Sequence, residues 1–255
     1  MTHHILILGG TTEARQLAGK LAHREDFSVT LSLAGRTESP VAQGVPVRVG
    51  GFGGADGLAT YLGQQQVDLL IDATHPYAAR ISANAAEAAK RTGVQLIALR
   101  RPGWERAAGD RWTLVETMAE ATKALGAVPR RVFLAIGRQE AGVFETAPQH
   151  SYLIRSVDPV EPKPALPDAV YLLARGPFLE ADEKALLERY GIDAVVSKNS
   201  GGEATYAKIA AARALGIEVI MVRRPRLPDV PSKETVEELA ATVDHLFGPV
   251  AERGV

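Results

Sequence analysis

Two glycines and two threonines stand where the first predicted strand of this chain gives way to its first predicted helix. Glycines let a backbone approach phosphate oxygens closely, and the N–H groups at a helix start bind anions. The threonine hydroxyls are further candidate donors. The motif departs from G-x-G-x-x-G, so a tight turn with a threonine N-cap is the alternative to a dinucleotide pyrophosphate site. The positions expected to bind the dinucleotide are Gly9, Gly10, Thr11, Thr12 and Glu13.

The end of the second predicted strand indicates which dinucleotide would bind. NAD-specific sites place an acid there to hold the ribose 2′-hydroxyl. This strand instead runs through Ser32 to Arg36, and the first acid after it is Glu38. Arg36 can pair with a 2′-phosphate and Ser32 can add a hydrogen bond, so the pattern favours NADP(H) over NAD(H). A solvated loop arginine is the alternative for Arg36.

A third segment with reactive side chains follows the predicted strand 67–72. We expect Asp72, Ala73 and Thr74 to lie beside the nicotinamide end of the cofactor. His75 and Tyr77 are candidate proton donors, and capping or packing explains His75 equally well. The six histidines of the chain show no metal-ligand spacing, so no metal is expected.

A comparable loop occurs in the second half of the chain, at residues 198–206 (KNSGGEATY). It combines a cation, an amide, hydroxyls and two glycines at a predicted helix start, which suits an anionic ligand. An ordinary glycine-rich connection is the alternative. Lys198 and Tyr206 complete the set of candidate proton donors. The loop residues expected to contact the substrate are Asn199, Ser200, Gly201 and Gly202.

Arginines collect at the carboxyl ends of the predicted strands, where open α/β sheets bind their ligands. Because the formal net charge of the chain is only −1, this local concentration indicates a ligand with several carboxylates or phosphates. The arginines assigned to the substrate are Arg100, Arg101, Arg138, Arg175 and Arg223.

Alternating strands and helices must position these segments. Short apolar runs recur between alanine-rich stretches, as expected of buried parallel strands joined by helical crossovers. The prediction is two Rossmann-like three-layer α/β/α domains with mainly parallel sheets and a cleft between them. Residues 1–102 form the NADP(H)-binding domain and 103–255 the substrate domain, and the helix predicted at 232–247 is a candidate to pack back on the first.

One pattern occurs twice in the sequence. Residues 68–102 and 193–225 each contain a strand, a loop, an alanine-rich helix, a glycine, a second strand and Arg-Arg-Pro. The pattern favours two related sheets, although any two βαβ units share much of it.

Composition excludes several classes of protein. The 255 residues include no cysteine, which rules out disulfides, thiolate catalysis and iron–sulfur clusters. No apolar run is long enough for a membrane helix and no signal peptide is apparent, so a cytoplasmic location is expected. The net charge argues against nucleic-acid binding, and the absence of a P-loop argues against NTP hydrolysis.

Four segments together resemble the precorrin-6A reductase family of cobalamin biosynthesis. They are 9–14 (GGTTEA), 72–78 (DATHPYA), 101–104 (RPGW) and 197–202 (SKNSGG), and they span almost the whole chain in order. The first motif alone is weak, whereas the four together are specific. The sequence shows no departure from the family pattern at these motifs.

The resemblance implies hydride transfer from NADPH to one double bond (C18=C19) of the precorrin-6A macrocycle, giving precorrin-6B, without flavin or metal. It also implies a polyanionic tetrapyrrole substrate, which matches the arginines, and neighbouring pathway enzymes as partners. The alternatives are an NADP(H)-dependent reductase of another polycarboxylate and a non-catalytic NADP(H)-binding sensor. Oligomeric state and the choice between a metal-free and a cobalt-containing substrate are left open by the sequence.

Overall fold

The structure is a computed structural model that describes residues 2–35 and 44–248. The first stretch contains β1 (His3–Leu8), α1 (Thr12–Ala22), β2 (Phe27–Leu33), β3 (Val47–Val49), α2 (Ala55–Gln64), β4 (Leu69–Asp72), α3 (Ala79–Thr92) and β5 (Gln95–Leu99). The middle contains β6 (Trp112–Val115), α4 (Met118–Ala124), β7 (Arg131–Ala135), β8 (Ser151–Ser156), β9 (Ala169–Leu173), α5 (Glu180–Arg189), β10 (Ala194–Lys198), α6 (Ala207–Ala214) and β11 (Glu218–Val222). The last elements are β12 (Ser232–Lys233) and α7 (Val236–Phe247).

The chain forms two compact units, each built on one six-stranded sheet. The first unit comprises residues up to Arg101 and again from Arg226, and the second comprises Pro102–Pro225. The sheet orders are β3-β2-β1-β4-β5-β12 and β9-β8-β7-β10-β11-β6, and every strand pair is parallel. The predicted fold class of two Rossmann-like α/β units with parallel sheets is confirmed.

Five strands of each sheet follow the same topological order, and the sixth differs, because β12 is the last strand of the first unit and β6 is the first strand of the second. The order reverses between β1 and β4 in the first unit and between β7 and β10 in the second. Such switch points are where open α/β sheets bind ligands, outside the carboxyl ends of the strands. The repeated sequence pattern is explained by this equivalence, because β4-α3-β5 and β10-α6-β11 occupy corresponding positions.

The sequence-based division of the chain differs from the structure after residue 225. The prediction gave 103–255 to the second domain, with the last helix as a candidate to pack on the first. In the structure the chain from Arg226 joins the first unit, so the boundary moves and the candidate packing of the last helix is found. The reason is apolar burial: Val236, Leu239 and Val243 of α7 enter the core that α1 forms against the first sheet. The prediction that residue 232 begins a helix was wrong, because residues 232–233 form β12 beside β5 and α7 starts at Val236.

Buried apolar strands hold the two switch points in place. The last four residues of β1 and all four of β4 are buried, as the continuous apolar runs predicted. No helix among residues 2–35 and 44–248 is long and apolar enough to cross a membrane.

Candidate functional site

The turn from β1 into α1 is a tight glycine turn that leads directly into the helix start. Gly10 adopts φ +111°, a conformation that favours glycine. A Cβ on Gly9 would lie 2.6 Å from Leu31 Cδ1, so glycine there allows the turn to pack against β2. Thr11 is the N-cap of α1 and accepts a hydrogen bond from the Ala14 N–H at 3.0 Å. Thr12 and Glu13 follow in the first turn of the helix.

The Thr11 hydroxyl was expected to be a donor to the cofactor, and the structure directs it elsewhere. Its proton is donated to the Ala73 carbonyl oxygen at 2.9 Å. Ala73 follows β4, and its own N–H is donated to the Leu8 carbonyl at the end of β1. The turn after β1 and the loop after β4 are therefore bonded to each other at the first switch point.

Asp72 is the centre of a buried charge cluster at the end of β4. One carboxylate oxygen accepts from the Thr74 hydroxyl at 2.6 Å and from the Thr74 N–H at 3.2 Å. The other pairs with Arg100 Nη2 at 2.6 Å. Burial by itself would raise the pKa of the Asp72 carboxyl, but the Arg100 charge and the hydrogen bonds outweigh it and hold the pKa below its ordinary value. Arg100 was expected to bind the substrate, and the structure shows its Nη2 paired with Asp72.

A shallow hollow opens beside these groups at the carboxyl edge of the first sheet. Across it, Arg101 Nη1 and Glu13 Oε2 form an ion pair at 2.6 Å, and both side chains are partly buried. The hollow is lined by Thr11, Glu13, Ala73, Thr74, Pro76, Leu99 and Arg101. The hollow is therefore lined both by residues that the sequence assigned to the cofactor, such as Thr11 and Glu13, and by Arg101, which the sequence assigned to the substrate.

His75 and Tyr77 lie together in the loop that leads from β4 to α3. Their ring centroids are 5.6 Å apart, and the Tyr77 N–H is donated to His75 Nδ1 at 3.3 Å. Because Nδ1 accepts this bond, the neutral imidazole carries its proton on Nε2.

The switch point of the second unit carries different chemistry. The helix that follows β7 is the 3-10 helix Arg138–Thr146, in place of the α-helix found after β1. Its first turn contains Glu140, whose carboxylate forms an ion pair with Lys198 at the end of β10. Glu13 holds a similar place in the first turn of α1, so what distinguishes the second switch point is the 3-10 helix, which lacks a regular α-helix start.

The loop after β10 is fastened to the start of the second unit. The Asn199 side chain accepts from the Trp104 N–H at 2.7 Å and donates to the Trp104 carbonyl at 3.0 Å. The Trp104 indole N–H is donated to the Gly202 carbonyl at 2.9 Å. The RPGW and SKNSGG motifs therefore form one structural piece. Asn199 was expected to bind the substrate, and the structure shows its amide bonded to Trp104.

Arg224 completes this piece and is absent from the residues assigned from sequence. Its guanidinium donates to the carbonyl oxygens of Asn199 at 2.8 Å, Pro102 at 2.9 Å and Ser200 at 3.0 Å. The Arg-Arg-Pro ending of the repeated pattern was the available signal, but nothing in it distinguishes Arg224 from its neighbour. Arg223, the residue that was chosen, is exposed and pairs with Glu116 at 3.1 Å.

Tyr206 and a buried lysine lie under the same loop. The Tyr206 hydroxyl accepts from Arg213 at 2.9 Å, and the Tyr206 ring lies 5.8 Å from the Trp104 ring. Lys208 Nζ lies 4.7 Å from the Trp104 ring centroid and donates to the Thr205 carbonyl at 2.6 Å. Burial lowers the pKa of Lys208 to about 7, helped by the charge of Arg155. Lys208 was missed because its sequence context is an ordinary alanine-rich helix.

The remaining predicted residues are dispersed. Ser32 is buried near the end of β2, and Arg36 lies outside the described residues. Arg138 donates to the Pro159 carbonyl at 3.4 Å, and Arg175 is exposed after β9. Within residues 2–35 and 44–248, no cluster of three histidine or acidic side chains is arranged to hold a metal ion.

Comparison with known proteins agrees with these features. Residues 4–246 match the family model described as precorrin-6x reductase CbiJ/CobK. The chain is 61% identical over 245 residues to a precorrin-6A reductase of Sinorhizobium sp, covering 96% of this chain and 94% of that protein. It is 48% identical over 250 residues to a precorrin-6A reductase of Rhodobacter capsulatus, covering 98% and 96%. A solved structure described as CobK precorrin-6A reductase superimposes with a TM-score of 0.92 at 49% identity, covering 100% of both chains.

Proposed function

The chain belongs to the precorrin-6x reductase CbiJ/CobK family, and we propose that it reduces the C18=C19 bond of metal-free precorrin-6A with NADPH, giving precorrin-6B. Reduction of precorrin-6A is the activity named for relatives that cover nearly the whole chain. Their names carry no cobalt, which favours the metal-free macrocycle. The observation that carries the proposal is the glycine turn after β1, bonded to the loop after β4 at the switch point of the first sheet.

The residues of this switch point fit a nicotinamide dinucleotide. The turn at Gly9 and Gly10 and the free N–H groups at the start of α1 suit the pyrophosphate. Leu99 and Pro76 supply an apolar wall in the adjacent hollow. Arg100 Nη1 is a buried donor without a hydrogen-bond partner, as expected where a polar ligand completes a site. When bound, the nicotinamide supplies the hydride.

The end of β2 supports the proposed preference for NADPH. The strand stops at Leu33 without an acid to hold a ribose 2′-hydroxyl, and Ser32 is buried beside its end. Arg36 is the cation that we assign to the 2′-phosphate. Its side-chain position is outside the described residues, so this assignment is made from the sequence.

The second unit is assigned to the carboxylates of the macrocycle. Arg138 and Lys198 flank its switch point, and Arg175 is exposed after β9. The ion pair between Lys198 and Glu140 limits the excess positive charge before substrate binds. Asn199, Trp104 and Arg224 fix the loop that carries Lys198, which orients this cation for the substrate.

The direct test is anaerobic incubation of the purified chain with precorrin-6A and NADPH or NADH, followed by absorption and mass. We expect loss of conjugation and a mass gain of two hydrogens with NADPH, and slower turnover with NADH. The Arg36→Glu variant is expected to reverse this preference, because it repels a 2′-phosphate. The cobalt form of the substrate and small enoyl acids are the comparison substrates. NADPH binding without reduction of any of them would instead indicate a sensor.

Proton delivery makes a separate prediction, since hydride addition must be balanced by a proton. Of the four candidates, His75 is preferred, because histidine is the side-chain type whose ordinary pKa lies nearest neutral pH and whose cationic form can give up a proton there. We therefore expect His75→Ala to lower kcat about 100-fold. Tyr77→Phe, Lys198→Ala and Tyr206→Phe should each cost less. Near-wild-type kcat in all four variants would show that solvent or the substrate itself supplies the proton.

A further inference from the structure

Three threonines cap helices of this chain in the same way. Thr11, Thr117 and Thr235 all have extended backbones, with φ near −119°, −134° and −120°. Each hydroxyl accepts from the backbone N–H three residues later, at 3.0 to 3.1 Å. The hydrogen bond that each hydroxyl accepts is therefore explained by stabilisation of a helix start.

Thr11 adds a contact that the cap does not need. Its hydroxyl proton is donated to the carbonyl of Ala73, which is 62 residues away in sequence and almost fully buried. The N–H of Ala73 is bonded to the Leu8 carbonyl, so Ala73 is held from both sides by the β1 end and its turn. The next residue, Thr74, is fixed in turn by Asp72.

The consequence is a closed set of hydrogen bonds around the first switch point. The turn at residues 9–11 is assigned to the pyrophosphate, and the loop at residues 72–77 carries His75. A dinucleotide that contacts both segments needs them at a fixed separation. A rotatable hydroxyl that accepts from one segment and donates to the other sets that separation.

We propose that Thr11 is a positioning residue that locks the phosphate-binding turn to the loop carrying His75, and that its hydroxyl is not itself a ligand of the cofactor. This inference rests on the proposed function, because it assumes that a nicotinamide dinucleotide spans the two segments. It predicts that removing the Thr11 hydroxyl, without changing the shape of the side chain, affects the loop after β4 as well as the start of α1.

The test compares Thr11→Val, which has the same shape without the hydroxyl, with Thr11→Ser, which retains it. Thr11→Val is expected to weaken NADPH binding about tenfold in equilibrium titration, because a buried hydrogen bond is lost and Ala73 keeps an unsatisfied carbonyl. Amide hydrogen exchange in residues 72–77 of the cofactor-free chain should become faster. Thr11→Ser should restore both properties to near wild-type values.

Thr235→Val is the matched control, since it removes the same type of cap from α7. It is expected to lower thermal stability without changing NADPH affinity or exchange in residues 72–77. If Thr11→Val behaves like Thr235→Val in these two measurements, Thr11 is only a helix cap and the inference is overturned. A wild-type chain that binds no NADPH would overturn the proposed function instead, and faster exchange in Thr11→Val would still establish the lock.

Discussion

Replacement of Asp72 by alanine is expected to lower the free energy of unfolding by about 3–5 kcal/mol near neutral pH. The variant leaves Arg100, which is mostly buried, without its counter-ion, and it removes the acceptor of two hydrogen bonds from Thr74. The pKa of Asp72 is held below its ordinary value in the folded chain. Its contribution is therefore present above the unfolded-state pKa of about 3.9 and is lost as pH falls through the folded pKa.

The measurement is urea unfolding of wild type and Asp72→Ala, followed by far-UV circular dichroism at neutral and acidic pH. The difference between the two proteins should shrink as the pH falls. Asp26→Ala is the control, because Asp26 also pairs with an arginine, Arg24, but at an exposed site. Its effect should be much smaller, since water screens the pair. Equal losses in the two variants would mean that burial of the Asp72–Arg100 pair contributes nothing.

The Asp72 cluster also shows what the sequence could predict about the site. Strand–helix alternation located the turn after β1 and the loop after β4, because a parallel sheet brings the carboxyl ends of its strands to one edge. It did not predict the partners of the charges. Arg100 was assigned to the substrate, yet it pairs with Asp72, which precedes it by 28 residues. The order of residues in the sequence shows which strand a residue follows. It does not show which side chain, at the end of another strand, that residue contacts.

The fold could also be predicted only in part from the sequence. Runs such as residues 5–8 and 69–71 are continuously apolar because both faces of the sheet are covered, and this pattern predicts them as strands. β12 lacks this pattern, because it consists of Ser232 and Lys233 and exists only through its pairing with Ala98 and Leu99. Nothing local in two polar residues predicts a strand.

Burial of charge was the least predictable property. Lys208 stands among alanines in α6, where a lysine normally reaches solvent. It is buried because its helix packs toward Trp104 and the buried Arg155–Glu183 ion pair, all distant in sequence. The loop from Lys198 to Gly202 was recognised as special, but its attachment to Trp104 and Arg224 arises from these non-local contacts.

A second large effect is expected for Gly201→Ala, because Gly201 lies in this attached loop. Gly201 adopts φ +67°, which costs a residue with a Cβ about 1–2 kcal/mol. A Cβ there would also lie 2.0 Å from the Pro102 carbonyl oxygen and 2.5 Å from Arg224 Nη2. The first of these contacts is with backbone, so it is relieved only by moving the residue 102 segment and breaking bonds of Arg224. We expect a total loss of about 3 kcal/mol or more in stability, together with weaker substrate binding.

Gly216→Ala separates the clash from the backbone strain. Gly216 has φ +65°, and a Cβ there would have no atom of another residue within 4 Å beyond its immediate neighbours. It should therefore cost only the strain that the two variants share. Both tryptophans of the chain, Trp104 and Trp112, lie in the second unit, and Trp104 bonds to Gly202, so the Trp104 contribution to the emission reports on this loop. Gly201→Ala should change the emission of the folded protein and shift the urea midpoint further than Gly216→Ala does. Equal midpoints and unchanged emission would show that the loop accommodates a side chain, and the clamp formed by Arg224, Asn199 and Trp104 would then be looser than its hydrogen bonds indicate.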